Sequence, residues 1–165
     1  MTEPTLVTLR PATEADRLLL WAWRNDPDTR RASFDSAPVL NAVHTHWFRA
    51  ALRRNSRRRL YIVQVGGVPA GMVRLDFWRR EAWVSINLAP AWRGKGIGPM
   101  ALRLASAKAF SRSRVARLIA QVKAENQASR IAFERAGFTL GSVQDAGGKV
   151  LTFTKRGPTL ASALP

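Results

Sequence analysis

Apolar residues recur along this chain with two periods, and the switches between them mark out a series of short elements. Leu6 to Leu9 reads as a first strand. Thr13 and Asp16, three residues apart, form a helix-starting box, and a helix is expected from about Asp16 to Arg24. It should end before Asp26-Pro27, because the residue preceding a proline is pushed out of the helical region. Between Asn41 and Leu52, the apolar residues Trp47, Phe48, Ala51 and Leu52 fall at i+3, i+4, i+7 and i+8 from His44, which predicts an amphipathic helix with His44 on its inner face. Period two takes over in Leu60 to Val65 and Val68 to Phe77, joined by a Gly66-Gly67 hairpin turn. Trp83 to Leu88 alternates as well, placing Val84, Ile86 and Leu88 on one face and Ser85 and Asn87 on the other. A helix from Gly98 to about Ser111, a strand from Leu118 to Val122 and a helix from Gln127 to Ala136, stopped by Gly137, come next. Phe138 to Gln144 and Lys149 to Lys155 complete the pattern as a hairpin around Asp145-Ala146-Gly147-Gly148. The order βααβββαβαββ predicts one mixed α/β domain over residues 1–156, with 157–165 as a loose tail.

The stretch APAWRGKGIG, between the Trp83 strand and the following helix, concentrates the chemistry. Gly94, Gly96 and Gly98 let the backbone curl tightly and leave no Cβ to keep a ligand from the main-chain N–H groups. Pro99 sits where the helix begins and costs nothing there. Open amides at the positive end of a helix dipole, with Arg93 and Lys95 beside them, suit a phosphate. The spacing excludes a P-loop, since Gly94-Lys95 is followed by Gly96 and not by Ser or Thr. A dinucleotide fingerprint is excluded too, because its third glycine falls on Pro99.

Arg93, Gly96 and Gly98 match (Q/R)xxGx(G/A), and the segment resembles the acyl-CoA signature of the GNAT superfamily of N-acetyltransferases. The later segment VKAENQASRIAFERAGF resembles the superfamily pattern NxxSxxxxExxGF at Asn126, Ser129, Glu134, Gly137 and Phe138. The resemblance covers nearly the whole chain and implies the GNAT fold: a mostly antiparallel central sheet of about seven strands flanked by four helices. It implies acetyl-CoA as cosubstrate, with the pyrophosphate on the turn of Arg93, Gly94, Lys95, Gly96, Ile97 and Gly98. The pantetheine would run along the preceding strand at Ile86 and Leu88, and Asn126, Ser129 and Phe133 would border the thiol. Asn126 as a helix cap and Phe133 as ordinary core are equally open readings. Relatives place a tyrosine at or near Phe133 to protonate the leaving thiolate; the sole tyrosine here is Tyr61, so Ser129 or solvent is left as the acid. Glu81, just before the strand, is the first candidate for the base that deprotonates the amine, with Asp76 and His44 behind it, although Glu81 pairing with Arg79 or Arg80 is a competing reading.

Composition narrows the partners. No cysteine is present, so disulfides, thiolate metal sites and a cysteinyl intermediate are excluded, and His44 and His46 lack a carboxylate cluster, so no metal is expected. No apolar run approaches the roughly 18 residues of a membrane span, and a soluble cytoplasmic protein is expected. The net charge of +16, from 22 Arg and 5 Lys against 11 Asp and Glu, favours anionic partners. The densest cluster, Arg53, Arg54, Arg57, Arg58 and Arg59, reads as a solvated basic loop. The segments WRNDPDTR and HTHWF resemble those of N-acetyltransferases that act on UDP-linked 4-amino-4,6-dideoxy sugars, pseudaminic acid synthesis included. That narrower likeness implies an anionic amine acceptor, which Arg24, Asn25, Arg30, His44 and Trp47 could hold; His44 and Trp47 as core, and Arg24 and Arg30 capping helices or pairing with Asp26 and Asp28, are competing readings. Acetylation of protein amino termini is the alternative within the superfamily. A basic nucleic-acid-binding module is the alternative of another class, and it lacks any recognisable motif. A homodimer is compatible with these readings.

Overall fold

The computed structural model describes residues 6–112, 114–145 and 147–158. The expected tail falls almost wholly on residues 159–165, outside the described residues, as does Ala146 of the last turn. Seven strands form one sheet: β1 (Val7–Pro11), β2 (Arg58–Val65), β3 (Val68–Trp78), β4 (Glu81–Leu88), β5 (Arg117–Lys123), β6 (Thr139–Asp145) and β7 (Lys149–Arg156), in the order β1-β2-β3-β4-β5-β7-β6. Every pairing is antiparallel except that of β4 with β5. Among the described residues, no helix is long and apolar enough to cross a membrane.

Five α-helices cover the sheet, where four were expected: α1 (Arg17–Asn25), α2 (Pro27–Ala32), α3 (Asn41–Leu52), α4 (Ile97–Phe110) and α5 (Gln127–Arg135). The additional one, α2, begins at the very proline that was read as a stop. Pro27 ends α1 and at the same time occupies the first position of a new helix, whose entry Asp26 caps by accepting the Thr29 N–H at 3.0 Å.

The alternation of side chains splits the interior into two layers. On one face, Phe48, Leu20 and Trp23 from α1 and α3 pack over Leu60, Ile62 and Met72. On the other, Ala101, Leu102 and Ala105 of α4 and Phe133 of α5 pack over Val73, Leu75, Val84 and Phe153. In β4, Val84, Ile86 and Leu88 join the α4 layer as the alternation predicted. Gly71 makes the β3–β4 contact unusually close: a Cβ there would lie 2.5 Å from the Asn87 carbonyl oxygen and 2.8 Å from Leu88 Cδ2.

The Thr13–Asp16 box heads a single 3-10 turn that leads into α1. Asp16 is buried, accepts the Thr13 N–H at 2.8 Å and meets Arg10 in a two-pronged ion pair at 2.7 and 2.8 Å. The Arg10 guanidinium, helped by the Thr13 N–H, holds the Asp16 carboxyl below its usual 3.8. A depressed folded value means the contribution is present above the unfolded value and is lost as pH falls through the folded one. Asp16→Ala should therefore cost about 2 kcal/mol in urea unfolding at pH 7. The gap between variant and wild type should close as the measurement moves below pH 4.

Candidate active site

The site begins where β4 and β5 part. They share only the pairs Glu81–Arg117, Ala82–Leu118 and Trp83–Ile119; past these, β4 continues with β3 and β5 with β7. The Ala89 N–H donates to the Ala70 carbonyl at 2.9 Å. Alternate residues of an antiparallel pair turn their amides the same way, so Ser85 and Asn87 face β3, while Ile86 and Leu88 direct N–H and C=O into the gap. The Leu88 carbonyl confirms this orientation, since it accepts Arg93 Nε at 3.0 Å from the side away from β3.

At the open end of the gap lies the glycine turn. Gly94 and Gly96 adopt φ +71 and +74 with open space where a Cβ would stand, and Gly98 sits inside the first turn of α4 against Ala132. Among the described residues, the N–H groups of Gly94, Gly96, Ile97 and Gly98 find no carbonyl or side chain to donate to, and Pro99 has none. Four free donors at a helix N-terminus next to an apolar slot fit a diphosphate followed by an extended chain.

A single cleft of about 980 Å³ joins this turn to the α1–α3 side of the sheet. Ile86, Leu88, Gly94, Gly96, Ile97, Gly98, Asn126, Ser129 and Phe133 line it from the donor side, and Arg24, His44 and Trp47 from the other. Asn126 caps α5, its Oδ1 accepting the Ser129 N–H at 3.1 Å. Phe133 is core and lining at once, edge-on to Phe138 at 5.1 Å and stacked on Phe153 at 6.1 Å.

Several expected site residues lie elsewhere. Glu81 sits at the closed end of β4, outside the cleft, where it pairs with Arg117 and not with Arg79 or Arg80. Asp76 is held by Arg58 at 2.5 Å and Arg74 at 2.9 Å, also outside the cleft. Asn25 spends both ends of its amide on the Val39 backbone, at 2.7 and 2.8 Å, and Arg30 donates to the Ser36 carbonyl. Both therefore pin the loop between α2 and α3 instead of facing a substrate. The Arg93 side chain is a clasp: besides Leu88 it reaches Asp26 at 2.7 Å and Thr29 at 2.9 Å, tying the α1–α2 junction to the end of β4. Lys95 stands off the cleft with its ammonium 5.3 Å from the Trp92 ring.

Sequence reasoning missed Arg74, which lines the cleft beside Met72. The signal was available: in an alternating strand, Arg74 shares a face with Met72 and opposes the core residues Val73 and Leu75. It also passed over Ser85 and Asn87 as lining groups; Asn87 Oδ1 accepts the Thr29 hydroxyl at 3.0 Å. His44 is buried, 5.4 Å from the Trp47 ring and 5.9 Å from that of Phe48, with Nδ1 unpartnered. Burial, with Arg17 and Arg24 nearby, pushes its pKa below 6.5 and keeps the ring neutral near pH 7.

A strand splayed from its parallel neighbour, with free glycine-turn amides at the opening, can seat an extended chain that ends in a diphosphate. The model of the acetyltransferase (GNAT) domain matches residues 7–139, and the chain belongs to that family. It is similar to the uncharacterized N-acetyltransferase YfmK of Bacillus subtilis (strain 168), with 27% identity over 144 residues, covering 87% of this chain and 92% of the relative. Among solved structures, the aminoglycoside acetyltransferase AAC(6')-Ib with coenzyme A and kanamycin superposes with TM-score 0.80 at 19% identity, covering 92% of this chain and 95% of that one. The spermidine N-acetyltransferase of Vibrio cholerae with CoA and spermine superposes with TM-score 0.81 at 18% identity, covering 91% and 95%. Both share the fold.

Gly96→Ala tests the cradle. A side chain at φ +74 costs roughly 1–2 kcal/mol, and relieving that strain turns the amides away from the phosphates. Calorimetry should show acetyl-CoA binding about tenfold weaker, with a fall of only a few degrees in thermal midpoint.

Proposed function

We propose that this acetyl-CoA-dependent N-acetyltransferase acylates a primary amine on an anionic acceptor, a nucleotide-linked 4-amino sugar fitting best. The observation behind this reading is the charge of the acceptor half of the cleft. Arg24 and Arg74 line it, and Arg24 Nη1 is buried without a partner while its Nη2 is spent on the Asp35 carbonyl. Asp28, also on the lining, is engaged by Arg31 and Arg93, and Asp26 by Arg93. A polycation such as kanamycin or spermine would meet guanidiniums here, with Asp35 as the one carboxylate outside an ion pair among the described lining residues. A phosphate or carboxylate meets planar donors suited to it.

The donor half assigns roles to the remaining residues. The N–H groups of Gly94, Gly96, Ile97 and Gly98 hold the pyrophosphate, and Ile86 and Leu88 flank the pantetheine. Bound acetyl-CoA supplies a thioester carbonyl open to a neutral amine. An amide of the open β4 edge, that of Ile86 or Leu88, polarises the carbonyl oxygen. His44, the histidine of the cleft, is unprotonated near pH 7 and takes the ammonium proton directly or through water. The half-buried Ser129 hydroxyl faces the same cleft and relays to the departing thiolate the second proton, which the acylated nitrogen sheds, so the hydroxyl ends the step unchanged. Trp47 flanks His44 and offers a ring face to a base or sugar.

Thiol release from acetyl-CoA, measured across acceptors, should be fastest with a UDP-linked 4-amino-4,6-dideoxy sugar and slow with kanamycin, spermine and amino-terminal peptides. Faster release with spermine or with peptides overturns the reading. Arg24→Gln should lower kcat/KM for the anionic acceptor about 30-fold, mainly through KM, while acetyl-CoA binding holds. For His44→Ala the loss should be about 100-fold in kcat. In the wild type, activity should fall as pH drops through a value below 6.5, where His44 takes up its proton. The variant should lack that acidic limb.

A further inference from the structure

We propose that the end of the sheet opposite the glycine turn is a docking surface for single-stranded nucleic acid. Three backbone hydrogen bonds stitch that end together: Phe77 N–H to the Arg57 carbonyl at 2.9 Å, Ala116 N–H to that of Arg80 at 2.7 Å, and Gly157 N–H to that of Ala116 at 3.0 Å. They draw the loop after α3, the β3–β4 turn, the loop after α4 and the end of β7 into one rim. Each brings exposed guanidiniums: Arg54 and Arg57, then Arg79 and Arg80, then Arg112, then Arg156. The carboxylates at this end, Asp76 and Glu81, are engaged by Arg58, Arg74 and Arg117, so the rim's charge is not neutralised from within.

Two further features separate the rim from a merely solvated basic face. Arg57 stacks 4.4 Å from the Trp78 ring and Arg112 4.5 Å from that of Phe77, which orients both guanidiniums with their N–H edges free. Trp78 is 50% exposed and lies among these cations, the combination that binds a backbone electrostatically and stacks unpaired bases. At the turn itself, Arg79 holds φ 51, where glycine or asparagine would sit without strain. The cleft reaches down β4 to Trp83, but β4 runs about 23 Å at strand rise from Glu81 at this rim to Leu88 beside the glycine turn, so an oligonucleotide here leaves that turn open.

The test uses the full chain and a fluorescent twelve-nucleotide single-stranded RNA, titrated by anisotropy at several salt concentrations. Binding should weaken steeply with salt, persist under saturating acetyl-CoA and quench tryptophan fluorescence. The triple variant R57Q/R79Q/R80Q should bind at least tenfold more weakly and flatten the log–log salt slope by about 2, near 0.7 for each phosphate left without its cation. Its thermal midpoint and acetyl-CoA affinity should match wild type. Trp78→Ala should weaken the single strand about tenfold and leave duplex DNA of equal length little changed. Wild-type affinity in the triple variant, or displacement of the RNA by acetyl-CoA, overturns the proposal; the latter would place the RNA on the cradle. Equal losses for single strand and duplex in Trp78→Ala overturn the claim of unpaired bases. Calorimetry with acetyl-CoA reads the cradle independently of all these outcomes.

Discussion

The site depends on the separation of two parallel strands. β4 and β5 are held together for three pairs and then diverge, because each is claimed on its other side by an antiparallel partner: β3 for one and β7 for the other. Along the free edge, the amides and carbonyls of Ile86 and Leu88 are left without a strand, a cost a folded domain sustains only if something else pairs with them. Arg93 takes the Leu88 carbonyl, which leaves the amides for a ligand. The cradle at residues 94–98 is the continuation of the same opening, since the chain leaving β4 turns back through it into α4.

Around that opening the helices divide the work. α4 and α5 close the side on which Val84, Ile86 and Leu88 are packed, while α1, α2 and α3 stand over Ser85 and Asn87. Arg93 is the joint between the halves, an arginine of the glycine turn whose guanidinium is spent on Asp26 and Thr29. Sequence position alone makes it a phosphate ligand. Its geometry makes it the residue that fixes the acceptor-side helices against the donor strand.

How much of this the sequence disclosed depends on the range of the interaction concerned. The strands and most helices were legible because alternation and 3.6-residue periodicity are local, and α3 was read to its exact limits. The glycine turn with its unpaired amides was legible for the same reason, being a matter of backbone within five residues. α2 was missed because a proline reads alike whether it stops one helix or starts the next. Glu81 was put at the site because it is near the cleft in sequence; it lies at the closed end of its strand, and only the long-range pairing of β4 with β5 tells which end opens. Asn25 and Arg30 were assigned to substrate by residue type, and both turned out to be bound to backbone carbonyls or amides of a loop.

The alternation in β4 has an evolutionary corollary. Because consecutive side chains leave a strand on opposite sides, the proposed reaction would have the acyl donor and the acceptor read by two interleaved sets of positions in one eight-residue stretch. Substitution at Ser85, Asn87 or the helices above them can retune which amine is accepted while the donor-facing set stays intact. A single inserted or deleted residue, by contrast, would exchange the two sets and destroy both at once. Such a strand can diversify by point changes but not by changes in length.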